Sequence, residues 1–308
     1  MTDLALVAVT DRSGFDESRH HGVVVAIDQE GSAVTRMGDI DAPIYPRSSN
    51  KPMQADAMIR SGWQPTPEQL ALACASHDGT ERHVEVVRTT LHAAGLEPAA
   101  LRNTPDLPIE CSSAHAVVAA GGSAEPVLMN CSGKHAAMVA TSQLNGWPLA
   151  SYLDTRHPVQ LAITERITEL VGDVVHIGVD GCGAPAHVMS PLALARAFRQ
   201  LAAERGAVWA AMTAHPDLVG GERRDVTRLM RAVPELMAKD GAEGVFAAAL
   251  PDGRAAAVKI ADGNGRAAGI VIAAALTTVG VDVDPTELGS PILGHGEPVG
   301  RVRPTFGI

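Results

Sequence analysis

The hydrophobic pattern of this chain changes period twice, and that constrains its fold more than any other feature. Residues 5–10, 21–27 and 33–37 read as strands, with Asp28-Gln29-Glu30-Gly31 as the turn between the last two. Through the middle of the chain the apolar spacing becomes helical. Near the end it returns to two, where residues 245–250 and 254–260 flank Pro251-Asp252-Gly253, a strong hairpin signal, and residues 299–306 offer one more strand. Strands at both ends with helices between them predict an α+β class, with an antiparallel β-sheet built from both chain termini and flanked by helices.

The helical stretch is punctuated by caps. Ser48, Ser49 and Asn50 precede a helix that ends at Gly62, with Pro52 tolerated in its first turn. Thr66-Pro67-Glu68-Gln69 combines a capping box with a first-turn proline. Thr80 starts a helix with Val84, Val87, Leu91 and Ala94 on one face and Gly95 closing it. Residues 135–144 run helically to Asn145-Gly146, Val159, Ile163, Ile167 and Leu170 repeat up to Gly172, and Ser190-Pro191 opens a helix to about residue 203. No linker rich in Pro, Gly or Ser and no repeat marks a boundary, so residues 1–308 read as one large globular unit or two closely joined lobes, with no boundary placed between them.

Composition narrows the function classes. Only 3% of residues are aromatic, so the core must be built from Ala, Val, Leu, Ile and Met. A net charge of -10 with no dense Lys/Arg block argues against nucleic acid or an anionic membrane as partner and favours a small polar substrate. The longest apolar run, residues 267–279, is too short to span a bilayer. Cysteines at 74, 111, 131 and 182 form no short-spaced framework, and the N-terminus lacks the shape of a secretion signal. A cytoplasmic protein with reduced thiols is expected.

The chemistry begins at Ser48-Ser49-Asn50-Lys51. Residues three apart on a helical turn share a face, so the Lys51 amine can reach the Ser48 hydroxyl and, when neutral, take its proton. Serine-x-x-lysine is the arrangement used by β-lactamases and penicillin-binding proteins. Ser76 in Ala75-Ser76-His77-Asp78-Gly79 is either a site hydroxyl or part of a helix end and turn; adjacent residues point apart, so these three are no triad. In Asn130-Cys131-Ser132-Gly133-Lys134-His135, Leu128 stands where a phosphate loop needs its first glycine, so that reading fails. Cys131, Lys134 and His135 with the remote Cys182 offer soft metal ligands, or else buried reduced thiols. Lys259, among apolar neighbours in a strand, either snorkels at a sheet edge, the expected reading from sequence, or is held in a pocket.

Together, Arg47-Ser48-x-x-Lys51-Pro52, Cys74-Ala75-Ser76-His77, Asn130-Cys131-Ser132-Gly133-Lys134-His135, Asp180-Gly181-Cys182 and Val258-Lys259-Ile260-x-Asp262-Gly263 resemble the rhizobial-type, or class 3, L-asparaginases of the asparaginase II family. The blocks keep the family's order and span residues 1 to about 270, and no Thr-Gly-Gly-Thr block of the threonine-dependent asparaginases is present. The resemblance implies a single catalytic domain with a fold similar to serine β-lactamases and glutaminases, a homodimer, and hydrolysis of L-asparagine to L-aspartate and ammonia through a serine ester. It implies two pairs, Ser48 with Lys51 and Ser76 with Lys259, converging in one pocket. Ser48 is the expected nucleophile and Lys51 its base. It also implies zinc held by Cys131, Lys134 and Cys182, and substrate contacts from Arg47, His135 and Asp180, with Arg47 matched to the α-carboxylate and Asp180 to the α-ammonium. Family patterns often carry glycine where Ala136-Ala137-Met138 stands. A glutaminase or a penicillin-binding-protein-like acyl hydrolase is the alternative activity, and a zinc or thiol sensor the non-enzymatic one.

Overall fold

The computed structural model describes residues 3–307, and its contacts group them into two compact units. The first takes the chain up to Ser49, Val188–Arg205 and everything from Arg223 onward; the second takes Asn50–His187 and Gly206–Glu222. All four phenylalanines belong to the first unit and all three tryptophans to the second.

The first unit holds an antiparallel sheet that joins both chain ends. Its order is Val302–Pro304, Ala5–Arg12, Phe15–Ile27, Ala255–Ile260, Val245–Ala249, Met237–Gly241, with Ala33–Met37 also paired to Phe15–Ile27. The N-terminal and C-terminal hairpins meet in register, Val25 opposite Ala257 and Ala26 opposite Ala256. Every residue of Val245–Ala249 and Ala255–Ile260 is buried, and their runs of alanine let Pro191–Ala203 and Ala268–Thr277 pack on these central strands. The hairpin at Pro251-Asp252-Gly253 closes as expected, with Gly253 at φ 99°.

Two strand expectations change. Phe15–Ile27 begins well before residue 21, because Ser13 and Gly14 both take positive φ (51° and 83°) and form the two-residue turn that suits a right-twisted hairpin. At the C-terminus the single strand expected over 299–306 is instead Val302–Pro304, preceded by a separate ribbon of Ile292–Gly294 with Glu297–Gly300.

The second unit is mainly helical, and Ser132–Leu144 is its central helix, buried from Ser132 to Ser142. Pro67–Ala73 and Glu81–Ala93 pack on that helix, and Lys51–Arg60 packs on Pro158–Val171. Gly133 permits the closest approach, since a Cβ there would run into the Leu72 carbonyl. Thr66 forms the expected capping box with Gln69. On Glu81–Ala93 the buried stripe is His83, Val86, Val87, Thr90 and Leu91, shifted from the expected Val84 and Ala94 face. The polar members join because their hydrogen bonds are met locally: Thr90 Oγ1 donates to the Val86 carbonyl, and the His83 ring bonds Thr80.

Candidate active site

Lys51 is the first residue of Lys51–Arg60, with Pro52 behind it in a first turn whose N–H groups need no helical partner. The pre-proline position thus remains helical, and the side chain is 1% exposed. Its amine donates to the Ala75 carbonyl, to Ser76 Oγ at 3.2 Å and to Cys131 Sγ at 3.1 Å. Ser76 lies just beyond the helix Pro67–Ala73, whose last cap is Cys74, in an irregular segment.

The second unit also holds Cys131, Lys134, His135, Asp180 and Cys182 of the residues expected in the site. Lys134 lies in the first turn of Ser132–Leu144 and donates to Cys182 Sγ at 3.2 Å. Cys182 sits in the turn between His176–Val179 and Pro185–Val188, where Asp180 N–H donates to the Ala184 carbonyl and Asp180 Oδ1 accepts from Gly181 N–H. Cys131 and Cys182 are free, buried and hydrogen-bonded to each other. The Cys131 thiol also donates to Asn130 Oδ1 at 3.0 Å. The bond to Cys182 and burial push the Cys131 thiol up to about 12, while the bond from Cys131, against burial and with help from Lys134, brings Cys182 down to about 5. Burial alone would lower the Lys134 amine, but attraction to Cys182, with Cys131 and Asp180 behind it, outweighs burial and raises its pKa.

His135 is fully buried, with Nδ1 2.8 Å from the Tyr152 hydroxyl, which itself accepts from Arg102 N–H. Its Nε2 has no protein partner, and burial, followed by the Lys134 charge, holds the ring well below its ordinary pKa.

Arg47, Ser48 and Lys259 belong to the first unit. Arg47 takes a left-handed φ of 52° and opens the short turn Arg47–Asn50 that carries Ser48. That turn presses on Met237–Gly241: Ser49 Oγ donates to the Lys239 carbonyl at 3.2 Å, and a Cβ on Gly241 would meet the Pro46 carbonyl and Ser49. Lys259 corrects one expectation, because Ala255–Ile260 is an interior strand and not an edge. Its amine donates to the carbonyls of Glu243 (2.6 Å) and Ile260 (2.5 Å), and burial lowers its pKa against the pull of Glu243 and Asp262. Arg47 Nη1 is 3.8 Å from the Glu243 carboxylate, so Glu243, which no motif announced, is a shared neighbour of Arg47 and Lys259.

Sequence reasoning also passed over Tyr152 and the pairing of His77 with Ser132, although the latter two stand inside quoted motifs. Tyr152 had no local signal, since its role depends on a contact 17 residues away.

Comparison with known proteins agrees with the motif reading. No curated protein matches this sequence. Among solved structures, a β-lactamase from Mycobacterium bovis is similar at a TM-score of 0.39 and 14% identity, covering 84% of this chain and 93% of that one, a likeness too loose to build on. The signature of the L-asparaginase II family, by contrast, matches residues 8–304, nearly the whole chain. The chain therefore belongs to the L-asparaginase II family and is a hydrolase of the L-asparagine side-chain amide.

Proposed function

We propose that hydrolysis proceeds through an ester on a serine, with Lys51 as the base. The observation that carries this reading is the 3.2 Å contact between the Lys51 amine and Ser76 Oγ, both buried among groups that exclude water. A neutral Lys51 takes the hydroxyl proton as Ser76 Oγ attacks the amide carbon, then returns a proton to the departing ammonia. Water attacks the resulting β-aspartyl ester, again giving a proton to Lys51, which passes it to the departing Ser76 Oγ; L-aspartate leaves with the serine hydroxyl and the neutral amine restored. Ser48, the nucleophile that the family resemblance implies, is the alternative site of the ester, and Lys259, which the resemblance pairs with Ser76, acts as a fixed charge held by the Glu243 and Ile260 carbonyls and relays no proton. Asp180 and Arg47 suit the substrate's ammonium and carboxylate, and His135 brings a buried ring nitrogen.

The test is acyl-enzyme trapping by mass spectrometry in the wild type, Ser48→Ala and Ser76→Ala. An adduct that survives Ser76→Ala and vanishes in Ser48→Ala moves the nucleophile to Ser48. Absence of any adduct argues for direct attack by water. Kinetics on asparagine, glutamine and a chromogenic β-lactam separate the asparaginase from the two alternative acyl hydrolases.

A zinc ion belongs to the same proposal. Among the described residues no three His, Cys, Asp or Glu side chains stand together as a metal site, so the ion would rest on Cys131, Lys134 and Cys182. The donor chemistry fits, because two buried free thiols and an amine 3.2 Å from the Cys182 sulfur form a soft set. Zinc would supply a Lewis acid beside the reacting carbonyl. Lys134 and Cys131 must each lose a proton to bind it, so occupancy rises with pH. Elemental analysis before and after Cys182→Ser decides, equal zinc content ruling the site out. A homodimer, checked by light scattering, and a cytoplasmic setting complete the reading, the latter supported by four free thiols that include the exposed Cys111. Among the described residues no helix is long and apolar enough to cross a membrane. The family match across 8–304 supports treating the chain as one catalytic domain.

A further inference from the structure

His77 follows Ser76, Ser132 follows Cys131, and these two neighbours bond to each other. The segment bearing Ser76 is held by three successive backbone donors: Ser76 N–H to the Val219 carbonyl (3.0 Å), His77 N–H to Asn130 (3.1 Å) and Asp78 N–H to Gly220 (2.8 Å). The His77 tautomer follows from its contacts. Gly79 N–H donates to Nδ1 at 3.1 Å, so the ring proton sits on Nε2, which donates to Ser132 Oγ at 2.9 Å. Both side chains are fully buried. The ring also stacks on His83 at 5.2 Å, and His83 is itself fixed by Thr80 and the Asp217 carbonyl. Burial, then the charges of His83 and Lys51, holds the His77 ring well below its ordinary pKa.

We propose that the His77–Ser132 hydrogen bond is a brace that sets the Ser76 hydroxyl against the Lys51 amine. The bond ties the segment of Ser76 to the start of Ser132–Leu144. That helix start carries Cys131, on which the Lys51 amine also rests. Gly133 seats the same helix against Leu72, so it has no freedom to follow a loosened loop. His77 is thus a positioning residue that touches no reacting atom. The inference rests on the Ser76–Lys51 reading above, and it predicts a loss in kcat without a loss in substrate binding, because a hydroxyl displaced by a fraction of an ångström still leaves the pocket formed.

The experiment uses the full chain and five variants. His77→Asn keeps an acceptor for Gly79 N–H and loses the donor to Ser132; His77→Gln keeps a donor near the position of Nε2; Ser132→Ala removes the acceptor; the fourth combines His77→Asn with Ser132→Ala; the fifth is Ser76→Ala. His77→Asn and Ser132→Ala should each lower kcat roughly 10- to 100-fold with KM within about twofold. The double variant should be no worse than either single, and His77→Gln should recover most of the rate. Equal losses in His77→Asn and His77→Gln, multiplicative losses in the double variant, or a change in KM alone would overturn the brace. If His77→Asn does not fold, Ser132→Ala decides by itself, full kcat refuting the proposal. Inactive Ser76→Ala beside a fully active His77→Asn refutes the brace alone, whereas normal turnover in Ser76→Ala removes both the brace and the reading beneath it.

Discussion

In the sheet unit, buried lysines find partners close at hand. Lys239 bonds Asp240, the next residue, at 2.5 Å, and Lys259 bonds the carbonyls of Ile260 and Glu243, one and 16 residues away. In the helical unit, Lys51 reaches 24, 25 and 80 residues along the chain and Lys134 reaches 48. The first kind of burial is completed by backbone and a neighbouring carboxylate, so the amine is neutralised where it stands. The second sets an amine against a hydroxyl or a sulfur that only the tertiary fold brings near. That difference separates amines that support structure from amines that can move protons.

The largest effect that would break this contrast is Lys51→Met. It keeps most of the apolar stem and removes the amine, and kcat should fall on the order of 10⁴-fold or more while circular dichroism stays unchanged. Retained turnover would make Lys51 one more structural lysine. Lys239→Met should do the reverse. Burial alone would raise the Asp240 pKa, but Lys239 and Arg224 hold it well below the carboxylate range. Removing Lys239 should therefore cost about 3–5 kcal/mol in urea unfolding, with kcat intact in the folded fraction.

A smaller effect sharpens the helical side. Burial, with a contribution from Lys134, lowers His187 from 6.5 to about 4. A histidine depressed in the folded state favours folding fully above pH 6.5, and that contribution is lost as pH falls toward 4, because the unfolded chain takes up the proton first. The loss is roughly 3 kcal/mol at most, and His187→Gln should flatten that limb of the stability curve. An unchanged acid limb would assign it to other groups. Least of all, Thr66→Ala should cost about 1 kcal/mol by opening the capping box, with no effect on kcat.

What could be read in advance follows from where each signal lies. The hairpin around Pro251-Asp252-Gly253 and the capping box at Thr66 were legible because turn chemistry and apolar period agree within a few residues. The first half of Phe15–Ile27 was not, since its residues are mostly exposed and polar and only pairing across Ser13-Gly14 makes them a strand. Cys111–Ala119 escaped for a related reason: none of its residues is buried, so no core stripe betrays it. In the site, Cys131, Lys134 and Cys182 stood out as a set through the family motifs, while spacing picked out Lys51. It pointed Lys51 toward Ser48, however, and could not show the bond to Ser76, because a contact across 25 residues leaves no periodic trace.

The segregation of aromatic residues makes the two units separately visible to light. Tryptophan emission comes only from Trp63, Trp147 and Trp209, all in the helical unit, while the sheet unit with its phenylalanines and Tyr45 is nearly silent at those wavelengths. A melt followed by emission therefore reports the helical unit, whereas far-ultraviolet circular dichroism reports both. Coincident curves would show that the two units unfold as one cooperative body, and separated curves would reveal an intermediate with the helical unit melted and the sheet unit intact.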